Sequence, residues 1–269
     1  MAIPSASRRT LRPQTSSMAV RCAGNLADEK LFAELKAAFA SAADPERAAG
    51  QQAYMKSTMP FYGVQMPELR RLSRTVFAAN PLASRAAWMQ TIELIWWNAS
   101  HREERHAALE LLAARSYKAH HDPELLDLLK ALIVSGAWWD FVDTLAINQV
   151  GPLLRDHPDE IRPHLLKWST GEDIWLRRTA ILAQLKFKQH TDWPLLKRFI
   201  EPSAASGEFF LRKGIGWALR EYSKTEPDRV LDYVRANHQT LSGLTKREGL
   251  KILLKSGRVA KEDPIFVRH

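Results

Sequence analysis

The sequence predicts an all-α protein built from repeated pairs of helices. From Leu26 onward, apolar residues recur at intervals of three and four, which is the period of a helix with one face in a core. Glycine is scarce, at 12 of 269 residues, and no segment alternates as a strand would. Similar helical segments also recur along the chain, and such repetition predicts a superhelical array in which each unit packs on its neighbours.

Two segments show the helical period most clearly, residues 103–120 and 122–136. The second opens with Asp122 and Pro123, a pair typical of the first turn of a helix, and closes at Gly136, a residue typical of helix ends. We therefore expect a helix that begins and ends at these residues.

The repeat is visible in two segments that lie 35 residues apart. WLRRTAILAQL, which begins at Trp175, aligns with FLRKGIGWALR, which begins at Phe210, and the alignment places Arg178 opposite Lys213. A period of about 35 to 45 residues formed by two helices is typical of HEAT-like and related repeats. The inner helices of such repeats line a concave face.

The chain is basic, with 39 Lys and Arg against 30 Asp and Glu and a formal net charge of +9. Such an excess attracts polyanions and favours nucleic acid or an anionic membrane surface as a partner, although scattered surface lysines would give the same total. No run of 18 apolar residues is present, which argues against a membrane-spanning helix.

Residues 1–27 differ in composition from the rest of the chain. Four arginines lie among serines there, and no acidic residue precedes Asp28. We expect a disordered basic arm, although a transit peptide, or an upstream start with Met18 as the true first residue, would show the same composition. A repeat domain over 28–258 and a tail over 259–269 are expected to follow.

Sites for metals and cofactors are not indicated. The single cysteine, Cys22, excludes an internal disulfide and a multi-thiolate zinc site, and it favours a reducing compartment. The motifs GxxxxGK[ST] and HExxH are absent, as is GxGxxG after a strand. We therefore expect no metal and no cofactor.

The hexapeptide WWDFVD, residues 138–143, combines two indoles with two carboxylates. Trp139 and Asp143 are four residues apart and share one face of a helix, whereas Trp138 and Val142 share the adjacent face, which we expect to point to the core. Most tryptophans in such a protein are packing residues. An aspartate between apolar neighbours, however, requires a cation, a hydrogen-bond donor or solvent.

Five stretches of the chain resemble the DNA alkylation repair enzymes with HEAT-like repeats, the AlkD-type alkylpurine DNA glycosylases. They are YMKSTMPFYGVQMPELRRL (54–72), WWDFVD (138–143), WLRRTAILAQLKFK (175–188), FFLRKGIGWALREYSKTEPDRV (209–230) and LTKREGLK (244–251). They lie between residues 54 and 251, and the resemblance extends over the chain from about residue 28 to 255. The resemblance implies a superhelical all-α array of HEAT-like helix pairs with a concave face that binds DNA.

The resemblance also implies an activity, the excision of cationic N3- or N7-alkylated purines from double-stranded DNA by a monofunctional glycosylase. We expect a monomer in the cytoplasm, associated with the nucleoid, and organellar targeting by residues 1–27 is the less expected location. The alternative is a non-catalytic HEAT-like scaffold that binds DNA or an acidic protein through the same basic face. Because phosphate repels a carboxylate, Asp143 in that face favours the enzyme.

Carried over position by position, the resemblance makes Asp143 the catalytic carboxylate, with Trp139 and Trp217 as aromatic walls around the damaged nucleotide. Tyr54 and Gln65 match contacts to the lesion region. The resemblance makes Arg178 a phosphate contact, for which a salt bridge between repeats is the structural alternative. Further phosphate contacts are expected at Arg212, Lys213, Lys246, Arg247 and Lys251.

The chemistry of an alkylated purine explains why one carboxylate suffices. The base already carries a positive charge and is a good leaving group, so that a general acid is largely unnecessary. A fixed carboxylate stabilises the oxocarbenium-like sugar and assists the attacking water. A glycosidase that acts on a neutral leaving group generally needs two carboxylates.

Overall fold

The structure, a computed structural model, describes residues 26–266. Most of the expected basic arm and the last three residues of the expected tail lie outside this range. Over the described residues the chain is helical and contains no strand, so the prediction of an all-α protein is confirmed. No helix in this range is both long enough and apolar enough to cross a membrane.

The α-helices are numbered along the chain. They are α1 (Glu29–Ser41), α2 (Pro45–Met55), α3 (Met66–Ala79), α4 (Arg85–Asn98), α5 (Arg102–Leu112), α6 (Leu126–Gly136), α7 (Trp139–Leu145), α8 (Gly151–Asp156), α9 (Pro158–Thr170), α10 (Ile174–Leu182), α11 (Trp193–Ile200), α12 (Phe209–Tyr222), α13 (Pro227–Ala236), α14 (Gly243–Gly249) and α15 (Lys251–Lys255). They form two compact units, of which the first ends at Leu111 and the second begins at Leu112. The expected single repeat domain over 28–258 stays a prediction.

The first unit has its core between α1, α3 and α4. Leu31, Leu35 and Phe39 are spaced by four residues on α1 and are fully buried. Asp28 begins this helix, because its side chain accepts a hydrogen bond from the backbone N–H of Leu31 at 2.8 Å. The amphipathic period of the sequence therefore produces this packing directly.

The second unit contains a row of consecutive helix contacts. Helix α10 packs on α7 and on α12, and α12 packs on α14, while α9 packs on α10 and α11. The two segments that align in the sequence belong to α10 and α12, so the repeated segments are neighbours in space. This arrangement places the helices that carry the predicted site residues of the second unit side by side.

The two segments with the clearest helical period, residues 103–120 and 122–136, differ in how closely their helices match the predicted ranges. In the second, a 3₁₀-helix over Pro123–Leu125 leads into α6, which ends at Gly136 as predicted. In the first, α5 ends at Leu112 and a separate 3₁₀-helix, Arg115–His120, follows. The ring Nε2 of His121 bonds to the carbonyl oxygen of Leu112 at 2.9 Å and satisfies an acceptor at the end of α5.

Residues 259–266, in the expected tail, fold back onto the second unit. Val259 and Ile265 are buried, and the 3₁₀-helix Pro264–Phe266 packs on α14. This described part of the tail is therefore packed against the repeat helices.

Candidate active site

The WWDFVD segment begins a short helix one residue later than its pattern indicated. Ala137 has a left-handed backbone, with φ of 39°, and Trp138 is extended, so α7 starts at Trp139. Trp138 was expected to share a core face with Val142, and this expectation is wrong because Trp138 stands before the helix. Val142 is fully buried, whereas Trp138 is only half-buried.

Asp143 lies one helical turn after Trp139 and forms a two-pronged ion pair with Arg178 of α10. Nε of Arg178 donates to Oδ1 of Asp143 at 2.7 Å, and Nη2 donates to Oδ2 at 2.8 Å. Both residues are nearly buried, Asp143 with 9% and Arg178 with 4% of its surface exposed. Such a bidentate, charge-assisted pair fixes the orientation of the carboxylate.

A third helix completes the environment of Arg178. Its Nη1 donates to the carbonyl oxygen of Phe210 at the start of α12. Gly214 on the same helix leaves the space for this guanidinium, because an added Cβ would lie 3.0 Å from Nη1. The Asp143–Arg178 pair thus joins α7, α10 and α12.

The ionisation of Asp143 reflects two opposing effects. Burial raises the pKa of its carboxyl above the ordinary value, whereas the hydrogen bonds and the charge of Arg178 lower it. The effect of burial is the larger, so the pKa of Asp143 is raised, but the guanidinium of Arg178 limits the rise. The two hydrogen bonds from Arg178 therefore favour the ionised form of Asp143 against the effect of burial.

An aromatic cluster lies beside the ion pair. The ring of Phe210 lies 4.9 Å from that of Trp175 and 5.3 Å from that of Trp138, measured between centroids, and Phe209 extends the cluster with 53% of its surface exposed. Trp175 and Phe210 were not among the predicted site residues. Their alignment in the repeat was the available signal, since these two equivalent aromatic residues pack against each other.

The two predicted aromatic walls, Trp139 and Trp217, are half-buried residues of α7 and α12. Helix α10, which carries Arg178, contacts both of these helices. Asp143, Arg178 and the two predicted aromatic walls are therefore placed on α10 and on the two helices that contact it.

Two of the expected phosphate contacts are buried. Arg178 gives its donors to Asp143 and Phe210, and Lys246 is 5% exposed, with Nζ donating to the carbonyl oxygen of His238 at 2.9 Å. Burial also lowers the pKa of Lys246. Neither side chain presents its charge to solvent, which differs from the expectation because packing between helices is not encoded in a count of basic residues.

The remaining expected phosphate contacts differ in their exposure and in their hydrogen-bond partners. Arg247 and Lys251 are exposed. Lys213 is bonded to Glu248 at 2.7 Å. Arg212 is half-buried, and its Nε is buried without a hydrogen-bond partner in the described part of the chain.

Tyr54 and Gln65 belong to the first unit. Tyr54 is 77% exposed near the end of α2, and Gln65 is exposed directly before α3. The loop between these helices is held by the buried Glu103, whose carboxylate accepts backbone N–H groups from residues 62, 63 and 64 at 2.9 to 3.1 Å. This anchoring fixes the backbone that leads to Gln65.

In the described residues, no group of three or more His, Cys, Asp or Glu side chains is arranged to hold a metal ion.

The sequence and the helical fold of this chain both match known DNA repair proteins. The profile of the family described as DNA alkylation repair enzyme matches residues 35–253. A solved structure described as a predicted DNA alkylation repair enzyme from Enterococcus faecalis is 33% identical, with a TM-score of 0.70 over 79% of this chain and 97% of that one. A comparison with curated proteins finds no match. The chain belongs to the DNA alkylation repair enzyme family, which supports a role in the repair of alkylated DNA.

Proposed function

We propose that the protein is a monofunctional DNA glycosylase that excises cationic N3- or N7-alkylated purines from double-stranded DNA, as the first step of base excision repair. The observation that carries the proposal is Asp143, a nearly buried carboxylate that a bidentate arginine holds in one orientation. Of the two indoles assigned to the lesion, Trp139 lies on the helix of Asp143, and Trp217 lies on α12, which packs on the helix of Arg178.

The proposed reaction breaks the bond between the sugar and the alkylated base. The base leaves with the electron pair of that bond and becomes neutral, because it carried a positive charge before cleavage. Asp143 stabilises the positive charge that develops on the sugar and accepts the proton that the attacking water loses as its oxygen bonds to the sugar, and this proton then passes to solvent. The indole faces attract the cationic base, with a contribution of roughly 0.5 to 2 kcal/mol.

Arg178 has a positioning role in this proposal. A contact with a DNA phosphate would require its guanidinium to leave both Asp143 and the carbonyl of Phe210. Its burial instead supports a function in holding the catalytic carboxylate ionised and oriented.

The second candidate is a non-catalytic scaffold that binds DNA or an acidic protein. One observation favours it, since the Asp143–Arg178 pair joins three helices and would give the carboxylate a purely structural reason to be present. Phosphate would also be repelled less by a carboxylate that an arginine already neutralises. The glycosylase and a scaffold that binds DNA therefore differ in catalysis, not in DNA binding.

Incubation with a duplex that carries a single 7-methylguanine separates the two candidates. The proposal predicts free 7-methylguanine and an abasic site, with no release from a matched duplex that carries guanine. Binding of both duplexes without release of base would refute the glycosylase and support the scaffold.

A further inference from the structure

Glu248 of α14 bridges two cations of α12. Its Oε1 accepts a hydrogen bond from Nζ of Lys213 at 2.7 Å, and its Oε2 accepts one from Nη1 of Arg220 at 2.8 Å. All three side chains are partly exposed, with Lys213 the most exposed of them. One carboxylate therefore occupies two cations at the surface of the second unit.

These two cations share a helix face with Trp217. Lys213 precedes Trp217 by four residues and Arg220 follows it by three, so that the three side chains form one stripe along α12. Helices α12 and α14 approach closely beside this stripe, because a Cβ added at Gly216 would lie 2.5 Å from Cβ of Glu248. The carboxylate of Glu248 is thus held against the same stretch of helix that carries a predicted lesion-contacting indole.

Glu248 keeps its charge in this position. Burial alone would raise the pKa of its carboxyl, but the hydrogen bond from Lys213 and the charges of Lys213, Arg220 and Lys251 outweigh burial and lower it. The carboxylate is therefore ionised throughout the neutral range, and its charge compensates for that of the two cations it binds.

We propose that Glu248 masks Lys213 and Arg220 from DNA phosphates and so limits the binding of undamaged duplex at the face that carries Trp217. The proposal rests on the proposed function, because it takes this face of α12 as one that DNA approaches. A basic protein that must reach rare damaged bases gains from weak binding to the much larger number of undamaged sites. A carboxylate that already pairs with two cations reduces the sequence-independent attraction between the protein and DNA phosphates.

The salt dependence of duplex binding tests this masking. Each phosphate contact contributes about −0.9 to the slope of log K against log salt concentration. In Glu248→Gln, both cations become available, and the slope for an undamaged duplex should steepen by about 1 to 2, with tighter binding at low salt. The matched control is Glu221→Gln, which removes one negative charge from α12 at a carboxylate that pairs with Lys224.

Two further variants make the result specific. Adding Lys213→Gln to Glu248→Gln should reverse about half of the change in slope, whereas Lys213→Gln alone should reduce the wild-type slope by less than the substitution of the exposed Arg247 by glutamine. The variant Lys213→Gln does not alter Glu248 and remains informative if Glu248→Gln fails to fold, which thermal melting will show. A slope in Glu248→Gln equal to that in Glu221→Gln, or a loss of slope in Lys213→Gln as large as that in Arg247→Gln, would overturn the masking proposal.

Failure of this proposal is distinguishable from failure of the proposed function. The binding series uses undamaged duplex and requires no excision, whereas release of 7-methylguanine by the wild-type protein requires no change at Glu248. Excision without a change in slope removes only the masking role. A change in slope without excision removes only the glycosylase, and a wild-type protein that does not bind duplex refutes both.

Discussion

Substitution of Arg178 by glutamine should destabilise the protein strongly. Arg178 is 4% exposed and forms three hydrogen bonds, two to Asp143 and one to Phe210. Removal of one partner from a buried ion pair leaves the other charge uncompensated, at a cost of about 3 to 5 kcal/mol. For a chain of this size each kcal/mol corresponds to about 2 to 4 °C in melting temperature, so a decrease of about 6 to 20 °C is expected.

The pH dependence of this loss identifies its cause. Without Arg178, burial and the charge of Asp140 both raise the folded-state pKa of Asp143, so that it lies further above the unfolded value. The folded variant then holds a proton that the unfolded chain has released, so its stability decreases as pH rises from the unfolded pKa towards the folded one. Arg178→Gln should therefore be more strongly destabilised relative to wild type at pH 7 than at pH 4.

Urea unfolding of wild type, Arg178→Gln, Asp143→Asn and the double variant at both pH values measures these effects. The double variant should be more stable at pH 7 than Arg178→Gln, since asparagine removes the unpaired charge. A loss of unfolding free energy below about 1 kcal/mol in Arg178→Gln that does not vary with pH would refute the reasoning, because it would indicate that solvent already screens the pair.

Three other predictions concern single side chains. Trp138→Ala should lower the free energy of unfolding by about 2 kcal/mol, which is less than for a fully buried indole. Trp139→Ala should have a melting temperature closer to that of wild type and a lower rate of 7-methylguanine release. The reverse pattern would show that Trp139 packs and that Trp138 contacts the lesion. Arg247→Gln should reduce the salt slope of duplex binding by about 0.9, whereas Lys246→Gln should not, and equal effects of the two in filter-binding titrations would contradict the observed burial. Glu103→Gln should destabilise the chain by about 1 to 3 kcal/mol in urea unfolding, because its carboxylate accepts three backbone N–H groups, and wild-type stability would show that the loop needs no anchor.

The helices and the placement of Asp143 follow from local patterns. The period of apolar residues is a local property that predicts the all-α class, and Gly136 predicts the residue at which α6 ends. Trp139 and Asp143 share α7 because four residues make one turn. Trp138 differs because the left-handed backbone at Ala137 delays the start of the helix, and an alanine gives no signal for such a conformation.

The partners of charged side chains do not follow from local patterns. Arg178 meets Asp143 across 35 residues, and Lys213 meets Glu248 across 35 residues, so both contacts depend on how the helices pack. Composition gives the number of basic residues but not which are buried, and Lys246 is an example. A motif that places a residue at the site therefore leaves open whether its charge is available to DNA.

The single-turnover rate of 7-methylguanine release by Asp143→Asn is the most direct test of the central claim. Asparagine keeps the size of the side chain and one acceptor oxygen for Arg178 but removes the charge that, in the proposal, stabilises the developing oxocarbenium ion. It also leaves the buried Arg178 uncompensated, so the rate is measured under conditions in which urea unfolding shows the variant to be folded. At saturating enzyme, release should slow by on the order of 100-fold or more, while duplex binding is retained. The control is Asp156→Asn, which removes an exposed carboxylate that pairs with Arg155 in the same unit and should release base at the wild-type rate. Release at the wild-type rate by a folded Asp143→Asn protein would show that Asp143 is not the catalytic carboxylate.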